Sequence, residues 1–221
     1  MLYEFLMNIF LVLVFLGVGR SSGTTDESGS NRVQRKKNVR ANAIVAYDTD
    51  FVDRFKKKPP REELWIEIYK LFQQVEEYFH NQSVLVNFFV TRQIQTDNFE
   101  VFYANGTING NETLKKLQLY EDILEEGNNS IMYQLTFKQL CREPNCLSNP
   151  SGLSDVSTKG TFCTQDRSAA VVRQNPSSFN ILSIVKATAN VFGAHNYTEF
   201  SEGDLKIINQ TLARCGGTAK A

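Results

Sequence analysis

One long amphipathic helix near the start of the chain constrains the fold more than any other feature. Apolar side chains recur at helical spacing between residues 61 and 81, behind a Pro-Pro pair that a first helical turn tolerates. They are Trp65, Ile68, Phe72, Val75 and Phe79. Runs typical of buried strands flank this helix at residues 43–47 and 84–91. A helix between two such strands favours an α/β domain.

The same alternation of strand and helix patterns continues to the end of the chain. Further strands are predicted at residues 99–103, 131–137 and 169–172, and further helices at 114–124 and 180–192. Ser201 and Asp204 resemble a capping box that begins a final helix. The sequence therefore predicts one α/β domain over residues 42–221, and the 42% hydrophobic content of the full chain suits a single core.

The N-terminal region is predicted to lie outside this domain. Residues 9–18 form an apolar run that is short for a membrane span, and small residues follow it, which is typical of a signal peptide over residues 1–22. A signal anchor is the alternative. Residues 23–41 are polar and then basic, which predicts a disordered tail or a short pro-segment with a processing site. No other stretch suits a membrane, and a net charge of zero argues against nucleic acid as a partner.

Cysteines and glycosylation sequons agree with a secreted, extracellular protein. Four cysteines are an even number, which suggests two disulfides among three possible pairings. Six asparagines stand in N-x-S/T sequons, which predicts a glycoprotein. They are Asn81, Asn105, Asn111, Asn128, Asn196 and Asn209.

Residues 186–196, K-A-T-A-N-V-F-G-A-H-N, align with the zinc-protease motif H-E-x-x-H-x-x-G-x-x-H but lack its chemistry. Lys186, Asn190 and Asn196 replace the three histidine ligands, and Ala187 replaces the glutamate that activates the metal-bound water. Of the motif residues only Gly193 is retained.

The histidine count supports this interpretation. His80 and His195 are the two histidines of the chain, and a three-histidine zinc site cannot be built from two. We therefore expect no catalytic residues, no metal and no other cofactor. Two placements of Lys186 stay open: its ammonium occupies the former metal pocket beside a carboxylate, or its tip lies in solvent.

The order of parts resembles the reprolysin (ADAM-type) metzincins, particularly the secreted salivary metalloproteases of ticks. The sequence G-T-F-C at residues 160–163 precedes the strand-like S-A-A-V-V at 168–172. The degenerate motif, F-S-E at 200–202 and a last helix ending in Cys215 follow. The resemblance implies a metzincin-like mixed sheet with long helices.

The sequence also departs from the family pattern after the degenerate motif. Three residues separate Asn196 from Phe200, and no methionine follows Met132. The C-terminal subdomain is therefore expected to be truncated and the methionine turn absent. The resemblance also implies the disulfide pairing, Cys163 with Cys215 and then Cys141 with Cys146.

The expected function is binding. By this resemblance the chain is a catalytically inactive metalloprotease homologue that binds an extracellular protein, which for tick saliva means a host protein. Two alternatives stay open: a divergent, active zinc metallopeptidase, and a small-ligand carrier of the lipocalin type, which would be an eight-stranded barrel.

Overall fold

The computed structural model describes residues 38–57, 62–120, 126–144, 146, 152–176, 178 and 180–215. The predicted signal peptide and residues 23–37 of the predicted tail lie outside these ranges. Within them the strands are β1 Val39–Tyr47, β2 Val86–Gln95, β3 Ile108–Asn109, β4 Ser130–Thr136, β5 Leu140–Cys141, β6 Asp155–Ser157 and β7 Ser168–Arg173. The helices are α1 Thr49–Lys56, α2 Leu64–Asn81, α3 Gly110–Gln118, α4 Leu182–Val191 and α5 Glu202–Arg214.

A five-stranded, mainly parallel sheet organises the domain. Its order is β2-β1-β4-β7-β6, and the first four strands run parallel. Strand β6 pairs antiparallel with β7 at one edge. The α/β prediction is confirmed. An open, mixed sheet is not the closed antiparallel barrel of a lipocalin, so the small-ligand carrier alternative is wrong.

Two hydrophobic clusters cover the two faces of this sheet. Side chains alternate across the strands, so Tyr133 of β4 faces α2 and α4, whereas the adjacent Met132 packs with α3 and β6. On the first face Phe72 meets Tyr133 with ring centroids 5.0 Å apart, and Phe79 meets Phe192 at 5.5 Å. These buried aromatic contacts fix α2 and α4 against the same face.

The first strand begins earlier than the predicted domain boundary. Residues 39–41, which the sequence analysis assigned to the tail, belong to β1, where Val39 pairs with Val86 and Ala41 is fully buried. Arg40 is accommodated because its guanidinium lies 4.3 Å from the ring centroid of exposed Phe89. Arg40 is exposed near the start of β1, so its charge is compatible with the sheet. The domain therefore begins at Val39.

Other elements also differ from the prediction, and α1, β3 and β5 lie where the sequence predicts no helix or strand. Residues 99–103 do not form a strand, because their backbone bonds go to α3 and to a local turn around Thr107. Helix α3 begins at Gly110, capped by the Asn109 side chain, which accepts from the Glu112 amide. Strand β6 lies in a stretch predicted as loop.

Both disulfides follow the pairing that the resemblance implies. Cys163 is bonded to Cys215 and Cys141 to Cys146. The longer bridge fastens the C-terminal end of α5 to the turn that leads into β7. In the described part of the chain, no helix combines the length and apolarity needed to cross a bilayer.

Candidate functional site

Helix α4 carries the first part of the degenerate motif across the face of the sheet, against β6 and β7. The helix ends at Val191, and Gly193 follows two residues later with a φ of +94°, the left-handed conformation that favours glycine. The Gly193 amide donates to the Asn190 carbonyl at 2.8 Å. A Cβ at Gly193 would stand 3.0 Å from a methyl group of Ile207. Helix termination and close packing on α5 therefore explain this glycine without any metal chemistry.

Lys186 is ion-paired at the place of the first zinc ligand. Its Nζ lies 2.9 Å from Oδ1 of Asp155 on the edge strand β6 and 3.3 Å from the Ser154 hydroxyl. The Asp155 side chain is only 3% exposed, and its Oδ1 also accepts from Ser154 at 2.7 Å. The ring centroid of Tyr197 lies 5.8 Å from the ammonium. Of the two placements left open by the sequence, the structure has the one beside a carboxylate.

The neighbouring positions of the aligned motif carry a methyl group and a carboxamide. Ala187, at the place of the general base, is fully buried in the main core and offers a methyl group. Asn190, at the place of the second ligand, accepts from the amides of Gly160 and Gly193 through its main-chain carbonyl. Neutral carboxamides are poor zinc ligands, since zinc prefers imidazole, thiolate or carboxylate.

Asn196, at the third motif position, is hydrogen-bonded to Asp204, a buried residue in the first turn of α5. Its carboxylate accepts from the Asn196 side chain at 3.1 Å and from the His195 amide at 2.8 Å. It also closes the predicted capping box with Ser201, through the hydroxyl at 2.7 Å and the amide at 3.2 Å. Hydrogen bonding, from Ser201 above all, outweighs burial and holds the pKa of Asp204 well below its ordinary value. Asp204 thus fixes the segment that follows α4.

Replacing Asp204 by asparagine should lower the free energy of unfolding by about 2 kcal/mol at pH 7, because an amide cannot accept all these donors. A lowered folded-state pKa stabilises the fold above the ordinary value of 3.8, and this contribution is lost as pH falls below it. The difference between wild type and D204N should therefore shrink below pH 4 in urea titrations. Asp53→Asn, at an exposed site on α1, is the matched control and should be nearly neutral. A difference that stays constant down to pH 2 would contradict this account.

Both histidines have partners that account for them structurally. His195 is exposed, and its Nδ1 lies 3.2 Å from the Lys159 ammonium, which donates to it. His80 bonds through Nε2 to the Val86 carbonyl at 2.8 Å. Across the described ranges, no three His, Cys, Asp or Glu residues converge in a way that could hold a metal ion.

All six sequon asparagines lie in exposed positions. They stand at the end of α2 (Asn81), before β3 (Asn105), in the first turn of α3 (Asn111), before β4 (Asn128), after α4 (Asn196) and on α5 (Asn209). Asn196 directly precedes Tyr197, which faces Lys186.

Sequence reasoning missed Asp155 altogether. It located Asp204 but missed the contacts that Asp204 makes outside its capping box. A three-residue strand gives no periodic signal, so nothing in the sequence marked Asp155 as the partner of Lys186. The capping box located Asp204, but its bonds to His195 and Asn196 depend on a turn that no spacing rule predicts.

Comparisons with known proteins return structural similarity alone. No family model matches the sequence, and no curated protein matches it. The fold is similar to metalloproteinase-II from Bacteroides fragilis, with a TM-score of 0.48, 8% identity and coverage of 79% of this chain and 53% of that one. It is also similar to archaemetzincin from Methanopyrus kandleri, with a TM-score of 0.44, 14% identity and coverage of 83% and 98%.

A third similar structure is a chaperone–substrate complex, with a TM-score of 0.47, 6% identity and coverage of 71% of this chain and 26% of that one. This chain spans about half the length of the Bacteroides metalloproteinase. Because all three TM-scores lie below 0.5, we base no conclusion about family or activity on them.

Proposed function

We propose that this chain is a secreted, glycosylated and catalytically inactive homologue of the reprolysin-type metalloproteases, and that it acts by binding an extracellular protein. The observation that carries the proposal is the Lys186–Asp155 ion pair at the place of the first zinc ligand. A fixed ammonium replaces a metal ligand there, and a buried carboxylate holds it in position.

Electrostatics and ligand chemistry both oppose zinc at this position. A protonated Lys186 has no lone pair to donate, and its charge repels a divalent cation. Asp155, the nearest carboxylate, is already neutralised by that ammonium at 2.9 Å. Ala187 has no group that could take a proton from water. Restoring hydrolysis would require changes at several positions at once.

Secretion and glycosylation are supported by independent features. Two disulfides are typical of an oxidising compartment, and six exposed sequon asparagines are available to a glycosyltransferase. The signal-like residues 9–18 point the same way.

A binding role is supported by exposed aromatic side chains on α2. The helical spacing predicted Trp65 on the core-facing side of α2, but its side chain is 56% exposed, and Tyr69, one helical turn later, is 47% exposed. Aromatic side chains are enriched in protein interfaces. The nearest sequon along α2 is Asn81, twelve residues from Tyr69 or about 18 Å along a helix, so these aromatics lie well away from it. By resemblance, the partner is a host extracellular protein.

The purified, secreted protein should contain no stoichiometric zinc after dialysis and should not cleave a general peptide library. Elemental analysis and a peptidase assay with and without a chelator measure both properties on one sample. Zinc at one equivalent, together with chelator-sensitive cleavage, would instead support the divergent metallopeptidase alternative.

The binding half of the proposal needs a separate measurement. Proteins captured from plasma by the immobilised chain should be purified and titrated against it, and at least one should bind saturably and remain uncleaved. Enzymatic deglycosylation of the same sample should increase its mobility on gels if the sequons are occupied. Absence of any saturable partner would count against binding while leaving the inactive site intact.

A further inference from the structure

A buried cluster of charged side chains lies at the carboxyl ends of β1 and β4, outside the degenerate motif. The Lys138 ammonium is 2.6 Å from Oε2 of Glu100 and 3.4 Å from Oδ2 of Asp48. The Asp48 and Glu100 side chains are 0% and 1% exposed, and that of Lys138 is 28% exposed. Two buried carboxyl groups therefore share one partly exposed cation.

The two carboxyl groups differ in how well their oxygens are satisfied. Asp48 caps α1 by accepting from the Phe51 amide at 2.6 Å, and it accepts from the Thr136 hydroxyl at 2.6 Å. Glu100 uses Oε2 for Lys138, whereas its buried Oε1 has no hydrogen-bond partner among the described residues. A second full negative charge on Glu100 would thus be poorly solvated.

Two side chains of the segment 97–103, which follows β2, are buried: Phe99 packs in the second hydrophobic cluster, and Glu100 joins the segment to the charged cluster. At the outer end of this segment Asp97 accepts from the Thr49 amide at 2.9 Å and from its hydroxyl at 2.6 Å, in an exposed position. Farther along, the Val101 amide donates to the Thr113 hydroxyl of α3. Between these two contacts Glu100 pairs with Lys138, and the ring of Phe102 lies 5.4 Å from the same ammonium. Breaking the Glu100 contact would therefore weaken the hold of the segment on the charged cluster.

We propose that Asp48, Glu100 and Lys138 form a proton-controlled latch that fastens the segment 97–103 to the carboxyl end of the sheet. The latch is closed while Glu100 carries a proton, because the cluster then holds one negative and one positive charge. Loss of that proton places a second negative charge in the site and favours release of the segment.

The direction of the effect follows from the groups around Glu100. Burial, then a hydrogen bond to Asp48 that protonated Glu100 can donate and the charge of Asp48, together outweigh the opposing Lys138 and raise the pKa of Glu100 from 4.5 to about 8. From the other side, burial lowers the pKa of Lys138, but its bonds to Glu100 and Asp48 leave that pKa raised. Helix α3 contributes the neutral Thr113 hydroxyl to this segment.

The pH window follows from linkage. In the released segment Glu100 ionises near 4.5, whereas in the closed latch it ionises near 8. The opening constant should therefore rise up to tenfold per pH unit between these values and level off above pH 8. The latch is tightest in acid and loosest above pH 8.

Hydrogen exchange on the intact protein tests this profile. Peptides that cover residues 97–103 should lose protection as pH rises from 5 to 8, after correction for the intrinsic exchange rate, and should show no further loss at pH 9. Carboxyl carbon NMR of the wild type should reveal one glutamate that titrates near pH 8. A flat protection profile, or a Glu100 signal titrating near 4.5, would overturn the proposal.

Two variants distinguish pH-dependent release of the segment 97–103 from a pH-independent loss of its protection. Glu100→Gln keeps the shape without the titration, so its protection should be independent of pH across the window. Asp97→Asn weakens the outer contact with Thr49. The pKa of Asp97 is lowered, chiefly by the Thr49 hydrogen bonds, so Asp97 stays ionised throughout the window, and the variant should be less protected at every pH with the slope retained. Retention of the slope in E100Q would also overturn the proposal.

Discussion

Replacing Cys163 and Cys215 together by serine should lower the free energy of unfolding by about 4 kcal/mol. This bridge spans 52 residues, and the entropy that a cross-link removes from the unfolded chain grows with the size of the closed loop. The bridge also holds the last residue of the capped helix α5 against the turn before β7. Urea titration followed by far-ultraviolet circular dichroism measures the loss, which corresponds to a fall in Tm of about 10 °C for a domain of this size.

The second disulfide is the matched control for this experiment. Cys141 and Cys146 are five residues apart, so the same loop-entropy relation gives about 2 kcal/mol for their joint replacement. The expected result is thus a ranking, with the long bridge costing about twice as much as the short one. Equal losses, or a larger loss for the short bridge, would show that loop entropy does not govern the stability of this fold.

The elements that could be predicted from the sequence are those whose own periodicity is strong. Helix α2 was predicted to residue 81, where it ends, because five apolar residues repeat at helical spacing along it. Helix α5 was located by its capping box, which forms as predicted through Ser201 and Asp204. Strand β4 was predicted within one residue at each end from its strand-like run of residues, and the structure buries it along its whole length.

Elements formed by long-range pairing could not be predicted in this way. Strand β6 is three residues long, and it exists because Val156 pairs with Val171 of β7. Helix α1 follows a buried aspartate cap, and only three of its eight residues, Phe51, Val52 and Phe55, are buried. Short elements of this kind carry too few residues for a periodic signal, and tertiary contacts decide their structure.

For the degenerate motif as well, the residue types could be predicted from the sequence, whereas their contacts with residues far apart in the sequence could not. Sequence reasoning could identify which ligand types are missing, because that depends on residue identity alone. It could anticipate a carboxylate beside Lys186 only as one of two placements. Asp155 reaches Lys186 only because β6 pairs at the edge of the sheet. The hydrogen bond between Asn196 and Asp204, eight residues apart, depends on the turn between α4 and α5.

Replacing Lys186 by methionine should lower the free energy of unfolding by about 2 kcal/mol. The change removes the cation that neutralises Asp155, whose side chain is 3% exposed, and leaves a buried carboxylate. The Lys186 side chain is 35% exposed, so solvent reduces this value from the 3–5 kcal/mol that is typical of a fully buried pair. Urea titrations at pH 7 measure the loss.

A double-mutant cycle with Asp155→Asn distinguishes the ion pair from ordinary packing. D155N alone should cost less than K186M, because the lysine tip can turn toward solvent whereas the buried carboxylate cannot. In the K186M/D155N double variant the penalty of K186M should largely disappear, since no unpaired charge remains, and the coupling energy should be about 1–2 kcal/mol. Additive losses would mean that the lysine and the aspartate act independently. Asp155 would then not hold the ammonium at the position aligned with the first zinc ligand, and the proposed inactive site would lose its main structural support.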